Sequence, residues 1–492
     1  MKRFLWLGFV LLVYVICCAC GDVFRPIIIP NPPTFPNPQA SHTVVSINDN
    51  GTVVPGSAMV IDVSGDSVVS VANVGLAPVH AVQQSASVIL VANHSVTGAV
   101  ADSISKLNFS GTTISSTNTI SMPPNSAPNF VATTESSQAY VSLPSYVNPA
   151  TNLVVPSIGV FNTLSNSLVT MIPLNPGANP VAIAETPDTT KLYAANQGLG
   201  TISGFNTVDR SSRAISGSLT AVPIWLSARS DSQGVYVLEQ GSGTLAWLNT
   251  TSTAGPDTLT ETSISVPGAT IMIYDPNLNR LYIPGGQQMA IVDVSQSPPQ
   301  YLAGGPIPTC SLAPQSTNCV PTVQPGFRGS ADPCSSTTEV TPLMVVAVAA
   351  LPDGSRVYVG SYYEDADNNI CPQVTAIDAV SNTVTDSTPV PGFPDATIPF
   401  LPGNLPDPNY APVCAPPTPP APYRATFRFM MGAAGDSTRT YLSSCDGGNV
   451  NIIDTSNDTY ILNQPSPIST RAPIPPSQFN PPQNPVFLIA GP

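Results

Sequence analysis

Short apolar runs separated by turn residues recur along nearly the whole chain. The stretch 179–206 shows the unit. Pro180 to Ala184 is apolar, Thr186 to Thr190 is a polar turn, and Lys191 to Ala195 is a second apolar run. A glycine-rich turn at Gly198 and Gly200 then leads into a third run ending at Phe205 and Asn206. Runs of β-branched and aromatic residues bounded by Gly, Pro, Asn and Asp predict strands. The second strand returns around Tyr140, Tyr193, Tyr236, Tyr282, Tyr358 and Tyr441, and a further copy, Ile89 to Asn93, has Leu90 in the tyrosine's place. The third strand ends each time on an apolar residue followed by Asp62, Asn108, Asn162, Asn206, Asn249, Asp293, Asp378 or Asp454. Asp and Asn close turns by accepting a backbone N–H two residues on, so these side chains read as turn formers rather than as a ring of ligands.

Several copies continue through a hairpin into a fourth strand, as in DAVSNTV after Ile377 and DTSNDTY after Ile453. Four strands per unit, at a period of about 43–50 residues, predict an all-β chain built as a β-propeller. Counting third strands gives eight blades. Seven is the alternative, because the N-terminal unit is the least regular. That unit offers Ala58 to Val63 and Ser67 to Val74 as later strands but no good first strand. Pro485 to Ala490 resembles the first strand Pro180 to Ala184. The two chain ends are therefore expected to share one blade and remove the exposed sheet edges.

The segments LYAANQGLGTISGFN, RVYVGS with VTAIDAVSNTV, and NVNIIDTSNDT resemble YVTN/YncE-like propeller repeats. The resemblance covers about residues 44–470 and implies the propeller fold. It implies no particular activity, since one fold hosts many functions.

Composition agrees with many short strands. Charged residues are 9 % of the chain, hydrophobic residues 42 %, and there are 56 prolines. The formal charge is −14, and beyond Lys2 the lysines are Lys106 and Lys191. Nucleic-acid binding needs clustered cations, and none occur, so that class is excluded.

Lys2 and Arg3 precede an uncharged apolar run from Phe4 to Ile16, followed by CCACG at 17–21. This is a secretory signal in plan, over residues 1–20. It resembles a bacterial lipoprotein signal, which implies Cys20 as the lipidated residue, with Ala19 before it and Gly21 after it. Cys17 departs from that pattern, which favours an aliphatic residue there. Cleaved soluble export and an uncleaved anchor are the alternatives. Residues 21–43 carry Pro26, Pro30, Pro32, Pro33, Pro36 and Pro38 and read as an extended tether. The single propeller domain is expected over 44–492.

Long insertions fall at 143–157, 304–341, 361–373 and 394–422. In a four-stranded meander the loop between strands two and three lies at the same end as the link to the next blade. One face is therefore elaborated and the other plain, and such a face is where repeat rings often bind. Cys310, Cys319, Cys334, Cys371, Cys414 and Cys445 all map to the elaborated face. An even count in an exported chain predicts three disulfides among fifteen possible pairings. Proximity favours Cys310–Cys319 and Cys414–Cys445. Metal ligation by these cysteines is disfavoured, with no C-x-x-C among them and no histidine nearby.

The acidic loop with Glu364, Asp365, Asp367 and Asn369 is a candidate Ca²⁺ site, weighed against a solvated loop, because it lacks the Gly and distal Glu of an EF-hand. Tyr146, Tyr362, Tyr363 and Tyr410 are candidate contacts on the elaborated face, or else pack the insertions onto the ring. His42, His80 and His94 read as turn or surface residues. No other cofactor is implied, and no haem, nucleophile-elbow or P-loop motif occurs. The expected function is a non-enzymatic binding scaffold in a bacterial cell envelope, tethered to the membrane by its lipid and presenting one face to a protein or polysaccharide. The alternative is a lactonase-like or lyase-like propeller enzyme, which requires convergent titratable groups at the channel mouth.

Overall fold

The computed structural model describes residues 42–491 apart from 51–54, 95–101, 135–136, 303, 311–317, 324–327, 329, 336–338, 340, 395–399, 402–404, 407–413, 415–427, 462–467 and 470–483. Cys20, the signal, most of the tether and Tyr410 lie outside the described residues. Among the described residues no helix is long and apolar enough to cross a membrane.

Eight sheets follow one another along the chain, each with an antiparallel core of successive strands in meander order. Numbering blades from the N-terminus, the inner strands are Asn484–Ala490, Pro78–Ser85, Val131–Ala132, Pro180–Glu185, Pro223–Ala228, Ile273–Asp275, Met344–Ala350 and Phe429–Ala433. Inner strands of neighbouring blades touch in succession from blade 6 through blades 7, 8, 1, 2, 3 and 4 to blade 5. In blade 1 the C-terminal strand is innermost and runs antiparallel to Thr43–Asp49, with Val45 opposite Ile489 and Ile47 opposite Phe487. Ser57–Asp62 and Ser67–Asn73 complete that blade. The first and last described strands thus lie in one sheet, and the count is eight.

The repeating tyrosines explain how blades hold one another. Tyr140, Tyr193, Tyr236, Tyr282, Tyr358 and Tyr441 are all buried. A buried hydroxyl needs a partner, and several find it on the outer strand, or the turn leading into it, of the following blade. The Tyr193 hydroxyl donates to Asp257 at 2.8 Å, Tyr441 donates to Asp66 at 3.3 Å, and Tyr358 donates to Asp458. Two residues earlier on the same strand, and so on the same face of the sheet, stands a cation. Lys191 reaches Asp257 at 3.1 Å, Arg356 reaches Asp458 at 3.5 Å and Arg439 reaches Asp66 at 3.4 Å. Arg280, preceding Tyr282, donates to the Asn382 side chain of blade 7 at 3.0 Å.

The turns after the third strands form as their sequence requires. The side-chain oxygens of Asp62, Asn162, Asn249, Asp293, Asp378 and Asp454 each accept the N–H two residues on at 2.9–3.0 Å. Four residues after four of these, Asp66, Asn166, Asn382 and Asp458 hold positive φ of 47–58°. Asp and Asn tolerate that region better than other residues with a Cβ. Asp66 and Asp458 therefore serve twice, as turn residues and as acceptors for the preceding blade.

Candidate functional site

The elaborated face is braced over blades 6 to 8. Cys310 pairs with Cys319, Cys334 with Cys371, and Cys414 with Cys445. The middle bridge joins the link between blades 6 and 7 to the extended hairpin Arg356–Glu364 / Asn369–Asp378 of blade 7. Arg328 pins the same link. Its guanidinium is buried, donates to the Val390 and Pro372 carbonyls at 2.9 Å each, and pairs with Asp332 at 3.4 Å. Gln373 adds a two-way contact, donating to the Pro321 carbonyl at 2.6 Å and accepting from Val323 N–H at 2.9 Å.

These contacts decide the fate of the candidate residues. Tyr363 is 1 % exposed with its ring beneath Arg328, so it packs the insertion and offers no surface. Tyr362 is half-buried between Phe429 and the Arg428 guanidinium. Tyr146 is also half-buried, against the apolar cluster of blades 2 and 3. The four oxygen-bearing residues of the acidic loop do not converge. Asp365 is buried, and its carboxylate accepts from Asp367 N–H, Asn369 N–H and the Asn369 side chain at 2.9–3.0 Å. Glu364, on the other side of the strand, pairs with Arg428 at 3.3 Å. Side chains alternate across a strand, which separates these two carboxylates. Asp365 instead lies beside the Cys334 and Cys371 sulfurs.

The channel holds what the sequence reading missed. His80 is buried, against the expectation of a turn or surface position, because it lies on an inner strand facing the axis. Its ring stacks on Phe130 at 3.7 Å between centroids and packs against Phe487 at 5.0 Å and Trp225 at 6.1 Å. Phe130 and Trp225 meet edge to face at 5.3 Å. Four aromatic rings from blades 1, 2, 3 and 5 therefore meet across the axis and stopper the channel. Inner strands run from the elaborated face to the plain face, and the plug sits in their first halves. Below it is a cavity of about 520 Å³ lined by the later residues of those strands, among them Ile183, Leu226, Val348, Met431 and Leu488.

Among the described residues, two titratable groups line this cavity, His80 and Glu185. Burial pushes the His80 imidazole down to about 3, so it is neutral. Glu185 is buried at the plain-face end and accepts the Thr134 N–H at 2.8 Å. The convergent set that an enzyme at the mouth requires is not assembled from these two. A second pair was also missed. Glu239, fully buried at the elaborated end of blade 5, accepts from Thr220 and from Ala221 N–H at 3.2 Å each. Burial, and then the neighbouring Glu261, raise its carboxyl to about 7.

One signal could have found the cavity. The inner strands of blades 1, 3, 5, 7 and 8 end on Ala490, Ala132, Ala228, Ala350 and Ala433. Small side chains where strands converge leave open space.

The architecture defines the chain as an eight-bladed β-propeller. Among solved structures it is similar to AztD from Citrobacter koseri, with 10 % identity over 91 % of this chain and 97 % of that one and a TM-score of 0.52. It is also similar to the C-terminal WD40 domain of Sif2, with 10 % identity over 82 % of this chain and 90 % of that one and a TM-score of 0.50. At such identities the likeness is one of fold. No protein-family model and no curated protein sequence matches the chain.

Proposed function

We propose that this propeller is a YVTN/YncE-like repeat protein, exported and lipid-anchored through Cys20, and that it acts as a non-enzymatic binding scaffold in the cell envelope. The observation that carries the reading is the bracing of a single face: three disulfides and the buried Arg328 hold insertions over blades 6 to 8. Disulfides belong to oxidising compartments, and stabilising long loops lowers the ordering cost of binding. The partner is a protein or polysaccharide contacting the rim around the blade 7 hairpin.

The reading is tested by placing a photo-crosslinking residue at Asp367, at the exposed hairpin tip, or at Val208, exposed on the plain face. Irradiation of intact cells is expected to give an adduct from position 367 that disappears in a Cys334→Ser/Cys371→Ser variant, and none from position 208. Equal adducts from both faces, or none from position 367, would count against it.

A further inference from the structure

The cavity beneath the aromatic plug lies on the face opposite the disulfides and is independent of the scaffold reading. We propose that it binds an uncharged, largely apolar small molecule bearing one hydrogen-bond-accepting oxygen, of the aryl ketone class, held with that oxygen toward His80 Nε2. Its volume, about 520 Å³, is ample for such a ligand, and sites of about 300–1,000 Å³ with apolar walls and few polar groups are the usual small-molecule pockets. The floor is aromatic: His80, Phe130 and Phe487 all reach the cavity. Flat rings stack on such a surface with little loss of conformational freedom.

The polar partner is set by His80. Its Nδ1 accepts the Val131 N–H at 3.4 Å, so in the neutral ring the proton is assigned to Nε2. Among the described residues Nε2 has no hydrogen-bond partner, while the His80 side chain, 5 % exposed, lines the cavity. The N–H therefore faces the cavity, where an accepting oxygen of a ligand can take it in a less polar setting than bulk water. Among the described residues no cation lines the cavity, and Glu185 stands at its plain-face end. An anionic ligand would therefore lose its hydration and meet a carboxylate. A cation would gain nothing in the apolar depth beside an N–H donor. A neutral carbonyl compound fits both constraints. The alanines Ala350 and Ala433, half-buried at the ends of their strands, leave the mouth open toward the plain face.

The test uses the full chain and 6-propionyl-2-(dimethylamino)naphthalene, an uncharged aryl ketone whose emission moves to the blue in apolar surroundings and to the red when its carbonyl accepts a hydrogen bond. Saturable binding is expected. His80→Phe preserves the plug's shape and removes the N–H. It should weaken binding about tenfold and shift the bound emission to the blue. Ala350→Trp and Ala433→Trp occupy the mouth from half-buried positions and should each abolish saturable binding, with thermal melting confirming the fold. Tyr362→Ala, on the other face, should bind as the parent does. The proposal is overturned if the parent shows no saturation, if folded mouth variants bind unchanged, or if His80→Phe alters neither affinity nor emission.

Discussion

The Tyr441 hydroxyl of blade 8 donates to the Asp66 carboxylate of blade 1 across 3.3 Å, joining residues 375 positions apart. Arg439 reaches the same carboxylate. Burial raises the Asp66 carboxyl above its ordinary range, with Arg439 and Tyr441 opposing that rise. The contact repeats Tyr358 with Asp458, one blade earlier, but here it is a seam that closes the ring, tying the N-terminal strands of blade 1 to blade 8.

Asp66→Ala should therefore destabilise the fold by about 1–3 kcal/mol, the cost of leaving buried donors unpaired, with an added penalty for alanine at positive φ. Asp66→Asn keeps an acceptor and the tolerated backbone, so it should cost less. Asp458→Ala serves as the comparison at a junction that is not a seam. Denaturant midpoints for the three variants read this directly. An Asp66→Ala midpoint equal to the parent's would remove the seam from any account of stability.

Glu239 makes stability depend on pH in a stated direction. Its folded-state value of about 7 stands above the ordinary carboxylate value, through burial first and Glu261 second. Between those two values the native state holds a proton that the unfolded chain releases. The contribution is fully present below the unfolded value and is lost as pH rises through about 7. Glu239→Gln, which stays neutral, should flatten the fall in melting temperature between about pH 5 and 8 and should melt above the parent at pH 8. Parallel melting curves for parent and variant across that range would refute it.

The three bridges differ in the loops they close. Cys334 and Cys371 are 37 residues apart, while Cys310 and Cys319 are 9 apart. By the chain-entropy argument the longer loop contributes about 1 kcal/mol more. Replacing Cys334 and Cys371 by serine should lower the denaturant midpoint more than replacing Cys310 and Cys319. The reverse order would mean that the denatured chain is not what these bridges chiefly restrain.

Cys20→Ser should move the protein from the membrane fraction to the soluble envelope fraction if lipidation anchors it. Cell fractionation followed by immunodetection decides this. Retention in membranes would point to the uncleaved apolar segment instead.

The blade unit was legible in the sequence because every position that defines it is local. A buried tyrosine within a short, mostly apolar run marks the second strand, and an Asp or Asn closes the turn after the third. The Asp or Asn makes its turn hydrogen bond two residues on, and the tyrosine's place in the strand follows from the apolar pattern around it. Even the shared blade was legible, since Pro485 to Ala490 has the look of a first strand without a following partner. The cation two residues before several of the tyrosines was equally visible. What it is for was not, because its acceptor belongs to the next blade.

Which side chains meet in the channel was decided by tertiary structure. His80, Phe130, Trp225 and Phe487 come from four blades and stand tens to hundreds of residues apart, yet they meet on one axis. His80, Trp225 and Phe487 share a repeat position, two residues after Pro78, Pro223 and Pro485, but whether an inner-strand residue faces its neighbours or the axis depends on the tilt and spacing of all eight sheets. The same holds for the acidic loop. Four oxygen-bearing residues in a row suggested convergence, but the hairpin's alternation sent Glu364 to Arg428 and turned Asp365 inward. Sequence sets what each strand can bury, and only the closed ring sets which side chains from distant strands face one another.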